Sequence, residues 1–269
     1  MLFILLLMIG VLTGIIAGLF GVGGGILFTP VLFYLFGIAG VDDVVAWTIG
    51  TSLFCTFTAA FSSSIQQWSQ KNSFLSEGLK VGLFGAIGVY FGKLVATSDF
   101  YTEQVFAILF SIMLLFVAIL FYNRGKNKEG QTFENSDITF GRSMFTGGGG
   151  GFVAAIAGVG GGIVVVPVLN LVYKIPLIKA VSVSSLAVLI ISFSGWMQFA
   201  LLSDPAGTAA TAYTLGYVDF GSAFPLILGA FTGGFLGVRV GSLISRKVLQ
   251  ISYSVLLLFV AAAMIARLF

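Results

Sequence analysis

The chain has 269 residues, 58% of them hydrophobic and 9% charged, and its 13 basic and 10 acidic side chains leave a net charge of +3. A soluble fold of this length needs roughly a quarter of its residues charged to cover its surface, so with 36 glycines, 28 phenylalanines and a mean hydropathy of +1.09 this is a polytopic membrane protein. The small, scattered charge excludes a nucleic-acid surface, and zero His with one Cys excludes a zinc site, a haem, a His-based acid or base and an intrachain disulfide, so no cofactor or metal is expected.

The first apolar segment, 2–20, has no basic stretch before it and no small-residue cleavage site after it, and reads as a retained membrane segment. It is followed by 26–36, by 44–65 with Cys55 as a small packing residue, and by 79–95 and 105–122. After the polar stretch 123–142 come 145–157, 163–172, 181–202, 220–238 and 249–268. A spanning helix needs about 20 residues, so 26–36 and 163–172 cannot cross as regular helices, and 145–157 is short as well.

An internal repeat accounts for the short segments. Residues 20–32 read FGVGGGILFTPVL and residues 157–169 read AGVGGGIVVVPVL, identical at nine of thirteen positions without a gap. Thr51-Ser52-Leu53 then matches Ser184-Ser185-Leu186, Gly88 and Gly92 match Gly233 and Gly237, and the run 114–118 matches 257–261. The chain therefore divides into membrane repeat 1 (1–123), a linker (124–141) and membrane repeat 2 (142–269), forming a single transporter domain. Arg124, Lys126, Lys128 and Arg142 place the linker in the cytoplasm. Lys71, Lys80, Arg239, Arg246 and Lys247 fall inside with it, and Asp42, Asp43, Asp204 and Asp219 outside; Lys93 near the outer face is the awkward residue. Each glycine-broken pair then starts and ends on one side, as a hairpin that dips in or crosses twice. The expected fold is all-α, with two inverted repeats, each a Gly-broken hairpin plus three transmembrane helices, as in secondary transporters.

Gly21-Val22-Gly23-Gly24-Gly25 and Gly158-Val159-Gly160-Gly161-Gly162 mark the hairpin tips. Irregular backbone at membrane depth survives only when buried in protein or lining a wet cavity, and consecutive glycines expose N–H groups with no side chain in the way. The second arm of each hairpin is expected to begin near Pro30 or Pro167, since proline suits a first helical turn. Free N–H groups at such an end make an anion site. Glycines 85, 88 and 92, and 229, 233 and 237, recur at helical spacing and read as packing faces, while the run 147–151 is open between flexibility and tight packing. No dinucleotide or Walker A glycine pattern is present. The hydroxyls of Thr51, Ser52, Ser184 and Ser185 stand at matched positions in the two halves. The candidate substrate-binding set is therefore Gly23, Gly24, Gly25, Thr51, Ser52, Gly160, Gly161, Gly162, Ser184 and Ser185. Gln66, Gln67 and Gln198 read as interfacial. Lys93 and Arg239 read as snorkelling anchors or as recruiters of an anion at opposite mouths.

The repeated G-V-G-G-G-I-x-x-x-P-V-L element, each copy followed by a [TS]-S-L motif, resembles the TauE/SafE family of sulfite and organosulfonate exporters, over essentially all 269 residues. The resemblance implies movement of a small sulfur-containing anion such as sulfite, thiosulfate or a sulfonate across a prokaryotic cell membrane by a multi-pass protein. The alternatives are a passive anion channel, an importer or coupled exchanger of a similar anion, and a membrane-embedded enzyme; the last is disfavoured because no His or mid-membrane acid or base is available for chemistry. The partners expected are the small anion and the lipid bilayer, without nucleic acid, and a homo-oligomer is left open. With no carboxylate evident at depth, export is expected to run on the membrane potential.

Overall fold

In a computed structural model of the chain, residues 2–20, 25–69, 74–124, 138–202, 209–241 and 243–267 are described. Gly21, Val22, Gly23 and Gly24 of the first tip, Lys71, Asp204 and linker residues 125–137, with Lys126 and Lys128, lie outside them, as do the side chains of Gln66, Arg124, Arg246 and Lys247.

Among the described residues the first half forms α1 (Leu2–Phe20), α2 (Gly25–Ile38), α3 (Val44–Ser69), α4 (Leu75–Ala96) and α5 (Glu103–Arg124). The second half forms α6 (Phe140–Ala157), α7 (Gly162–Pro167) running into a π-helical turn (Val168–Val172), α8 (Leu177–Ala200), α9 (Phe220–Gly241) and α10 (Arg246–Ala266). Two residues each of β1 (Thr214–Leu215) and β2 (Val218–Asp219) pair as an antiparallel hairpin. Helices dominate because in lipid a backbone must satisfy its own hydrogen bonds. Six of them, α3, α4, α5, α8, α9 and α10, are long and apolar enough to cross; at 1.5 Å per residue each is comparable to a hydrocarbon core of about 30 Å. These are the three full spans expected of each half, and the molecule is an all-α polytopic membrane protein.

The two halves interlock. α1 packs along α9, and its repeat mate α6 packs along α4. A Cβ built at Gly10 would fall inside the carbonyl oxygen of Leu226, one at Gly233 inside that of Val11, and one at Gly237 inside that of Ile15. In the matching seam, Gly88 lies against the Gly148 carbonyl, Gly147 against Val81 and Gly151 against Gly85. The glycine stripes are packing faces that bring backbones together where lipid offers no hydrophobic drive between helices. This also decides the 147–151 run: a Cβ would collide at Gly147, Gly150 and Gly151, and would meet open space at Gly148 and Gly149. Between the seams α3 and α8 cross, with Leu53 on Gly195 and an edge-on aromatic cluster of Phe54, Trp196 and Phe220.

One sequence expectation is corrected. Pro30 and Pro167 do not open the second arms: α2 begins at Gly25 and α7 at Gly162, five residues earlier in each repeat, so both prolines lie inside helical segments. In the second repeat the chain turns within the glycines themselves, and helix resumes at once. Proline at this depth removes one internal hydrogen bond, and after Pro167 the backbone widens into the π-helical turn, where the buried Asn170 amide donates to the Ile175 carbonyl at 2.9 Å.

Residues 209–219, ahead of α9, fold back onto the bundle as a cap. Tyr217 N–H donates to the Phe199 carbonyl at 3.1 Å, its ring sits edge-on to Trp47 at 5.5 Å, and its hydroxyl donates to Asp43 at 3.0 Å. Burial, and then that carboxylate, push the Tyr217 phenol up to about 12. Behind it Asp219 is fully buried. It caps α9 by accepting from the Ser222 N–H at 3.2 Å and hydroxyl at 3.0 Å, and it accepts a further bond from Thr211. At other helix ends, ion pairs join the halves: Lys179 to Glu77 at 2.8 Å and Arg267 to Glu103 at 3.1 Å.

Candidate functional site

The second hairpin tip is built by left-handed backbone. Gly158 ends α6 at φ 71°, its N–H donating to the Ala154 carbonyl at 2.8 Å; Gly160 and Gly161 follow at φ 69° and 78°. Three left-handed residues within four positions reverse the chain, and only glycine adopts that conformation without cost.

The tip is seated on hydroxyls from the first half. The Gly158 carbonyl accepts from Ser52 at 2.8 Å and from Thr29 at 3.1 Å, and those two hydroxyl oxygens are 2.8 Å apart. Thr29 also reaches the Gly25 carbonyl at 3.2 Å, so two hydroxyl protons serve a ring of acceptors that ties α2, α3 and the tip together. A Cβ on Gly160 would stand 2.5 Å from Thr56 Cγ2 and 3.1 Å from Val188 Cγ1. Thr56 is the thirteenth residue of the 26 in α3, and Val188 the twelfth of the 24 in α8. The tip therefore sits halfway along both crossing spans.

Donors gather at this place. Val164 and Val165 N–H both donate to the Gly161 carbonyl at 3.0 Å, and the left-handed Gly160 and Gly161 carry no side chain over their N–H groups. The Thr56 hydroxyl is buried and without a partner among the described residues; it lies 2.9 Å from where a Cβ of Gly25 would be, and the Val159 carbonyl 3.0 Å from that point. Ser184 Oγ stands 3.8 Å from the corresponding point on Gly162. A buried unmatched donor costs about 1–3 kcal/mol, and such a hydroxyl beside glycine backbone is suited to a ligand rich in acceptors and poor in donors. Among the described residues no three His, Cys, Asp or Glu side chains gather as metal ligands.

Of the residues singled out from the sequence, the structure brings together Gly25, Ser52, Gly160, Gly161, Gly162 and Ser184. Two of the matched hydroxyls face elsewhere. Thr51 Oγ1 accepts from the Asp219 N–H at 3.0 Å, beneath the β-hairpin, and Ser185 donates to the Ser182 carbonyl of its own helix at 2.9 Å. Gly23 and Gly24 lie outside the described residues. Thr29 and Thr56 were not singled out. Thr29 stands directly before Pro30 inside the repeated element, but its mate in the second copy is Val166, so a search for matched hydroxyls passes over it. The buried Asp219 was equally hidden, since its sequence neighbours read as an ordinary loop.

The sequence model of the sulfite exporter TauE/SafE family matches residues 6–264. The chain is 28% identical over 253 residues to the probable membrane transporter protein MJ0441 of Methanocaldococcus jannaschii, covering 94% of this chain and 91% of that protein. It is 25% identical over 278 residues to the probable membrane transporter protein YunE of Bacillus subtilis, covering 98% and 97%, and 26% identical over 279 residues to a probable membrane transporter protein of Haemophilus influenzae, covering 98% and 99%. No solved structure matches. With a family match spanning nearly every residue of an all-α polytopic bundle, the chain belongs to the TauE/SafE family of membrane transporters.

Proposed function

We propose that this transporter exports a small sulfur-containing anion, such as sulfite, thiosulfate or an organosulfonate, through a site at the second hairpin tip. The observation that carries the proposal is the buried Thr56 hydroxyl, without a partner among the described residues, beside the left-handed glycine backbone of Gly160 and Gly161, halfway along two spans. A sulfur oxyanion offers several acceptors and no donor, which a nest of N–H and O–H groups fits. The family description supports the sulfur chemistry, and the relatives in bacteria and an archaeon support a prokaryotic cell membrane. The bias of Lys and Arg supports a cytoplasmic linker.

The driving force in this reading is the membrane potential. Each negative charge expelled gains about 2.3 kcal/mol per 100 mV of inside-negative potential, enough to sustain a concentration ratio of about fifty for a monovalent anion. Asp219 does not alter this expectation, because its carboxylate is occupied in capping α9. Flux of sulfite, thiosulfate, sulfate, taurine and sulfoacetate from proteoliposomes at clamped potassium/valinomycin potentials tests the proposal. Export of at least one sulfur anion should saturate and rise with voltage; flux indifferent to voltage but dependent on sodium or a pH gradient would replace it with coupled exchange.

Thr56→Val separates binding from folding at the same site. The substitution is close to isosteric and removes a hydroxyl without a partner among the described residues, so the unfolding midpoint should hold or rise. A hydrogen bond to a charged ligand contributes about 1.5–3 kcal/mol, so anion affinity should fall about tenfold or more. Titration of purified protein by thermal shift reads both quantities. Unchanged affinity would remove Thr56 from the site.

A further inference from the structure

A cleft of about 570 Å³ opens between α1, α3 and α9. Its inner end adjoins the proposed site without being part of it: Phe28 and Cys55 line it, and they are the chain neighbours of Thr29 and Thr56. From there Cys55, Thr58, Ser62 and Ser63 all line it, at helical spacing along one face of α3. On α9 the lining runs from Ile227 to the exposed Arg239 in the last turn, which at 1.5 Å per residue is about 18 Å. The cleft thus leads from the middle of the bundle to one end of it, with a guanidinium at the outer end.

The walls between are weakly polar. Thr58 donates its hydroxyl proton to the Cys55 carbonyl at 2.7 Å, and Ser63 donates to that of Ala60 at 3.1 Å. The protons of these hydroxyls are engaged with their own helix. An anion is therefore attracted at the mouth and not retained along the wall, as a conducting route requires: favourable enough to enter, weak enough to leave.

We infer that this cleft is the access path between one membrane face and the second hairpin tip, and that Arg239 is the residue that draws the anion into it. The inference rests on the proposed anion transport, but its test does not depend on transport alone. In a Cys55→Ala background, Ser63→Cys supplies a single thiol inside the cleft. Its reaction with an anionic sulfonatoethyl methanethiosulfonate should be about tenfold faster than with the cationic trimethylammonium reagent, as a focused positive potential predicts. That ratio should collapse toward one in Arg239→Gln and return in Arg239→Lys. In proteoliposomes otherwise of natural sequence, Arg239→Gln should raise the KM for sulfite about five- to tenfold at nearly unchanged maximal rate, because a residue at the mouth adds local concentration rather than chemistry. A labelling ratio indifferent to Arg239, or a Ser63→Cys thiol that reacts only with an uncharged, lipid-permeant maleimide, would overturn the inference and make the cleft a lipid-facing groove. If no variant moves sulfite yet the labelling ratio follows Arg239, the access path stands and the choice of transported anion falls.

Discussion

Gly151→Leu should leave no monodisperse protein to purify, whereas Gly149→Ala, two residues away on the same helix, should behave like the natural chain or better. A Cβ at position 151 would fall inside the carbonyl oxygen of Gly85. That oxygen is backbone in the middle of α4 and cannot rotate aside, so α4 and α6 would have to separate along their seam. Overpacking of ordinary cores costs about 1–3 kcal/mol, occasionally more. Here the collision is backbone on side chain and is repeated by no flexible neighbour, so the loss should exceed that range and take most of a stability of about 5–15 kcal/mol. Position 149 meets nothing within 4 Å of an added Cβ, and there alanine gains up to about 1 kcal/mol of helix propensity. Size-exclusion profiles in detergent and unfolding midpoints for the two variants measure the contrast. A Gly151→Leu protein that elutes and melts like the natural one would mean the seam is looser than described.

Gly160→Ala should keep the bundle but abolish anion binding, with flux reduced about a hundredfold or more. The left-handed backbone at φ 69° costs a non-glycine residue about 1–2 kcal/mol, which a bundle of this size survives. The new methyl also comes within 2.5 Å of Thr56 Cγ2, so either the tip or the threonine must move, and both belong to the proposed site. A misplacement of about 1 Å at a binding constellation is enough for a hundredfold loss. Thr56→Ser combined with Gly160→Ala removes the colliding methyl and keeps the hydroxyl. Flux regained in the double variant measures the collision, and the part not regained measures the backbone strain. Anion affinity at the natural level in Gly160→Ala would take the second tip out of the site.

Much of the fold was legible because composition and repetition are robust to local detail. A chain with 9% charged residues has one solvent, and nine identities in thirteen positions locate the glycine breaks without any knowledge of packing. The six long spans followed from length alone. Helix starts were less legible: the proline looked like the opening residue because its chemistry suits a first turn, yet the glycines complete the reversal earlier and α7 is under way by Gly162. Partnership was not legible at all. The spacing of Gly229, Gly233 and Gly237 announces a packing face, but nothing in a periodicity says that the facing helix is α1. The candidate site was read through symmetry, and of its matched hydroxyls Ser52 and Ser184 lie at the second tip. It also took in Thr51 and Ser185, whose hydroxyls are committed elsewhere, and missed Thr29 and Thr56, because repeated backbone does not require repeated side chains.

The interlocking of the halves bears on how the protein is made. α1 is made well before its partner: the helix that closes over Gly10 and Gly14 is α9, whose contact residues Leu226 and Ala230 lie some two hundred residues further on. At roughly 5–20 residues per second of synthesis, that is a wait on the order of 10–40 s. Throughout it an apolar helix with a bare glycine face must be held in lipid or beside the insertion machinery. α6 is spared this delay, since its partner α4 is already in place when it emerges. The two seams are therefore equivalent in the finished molecule and unequal in its assembly: α1 is packed long after it is made.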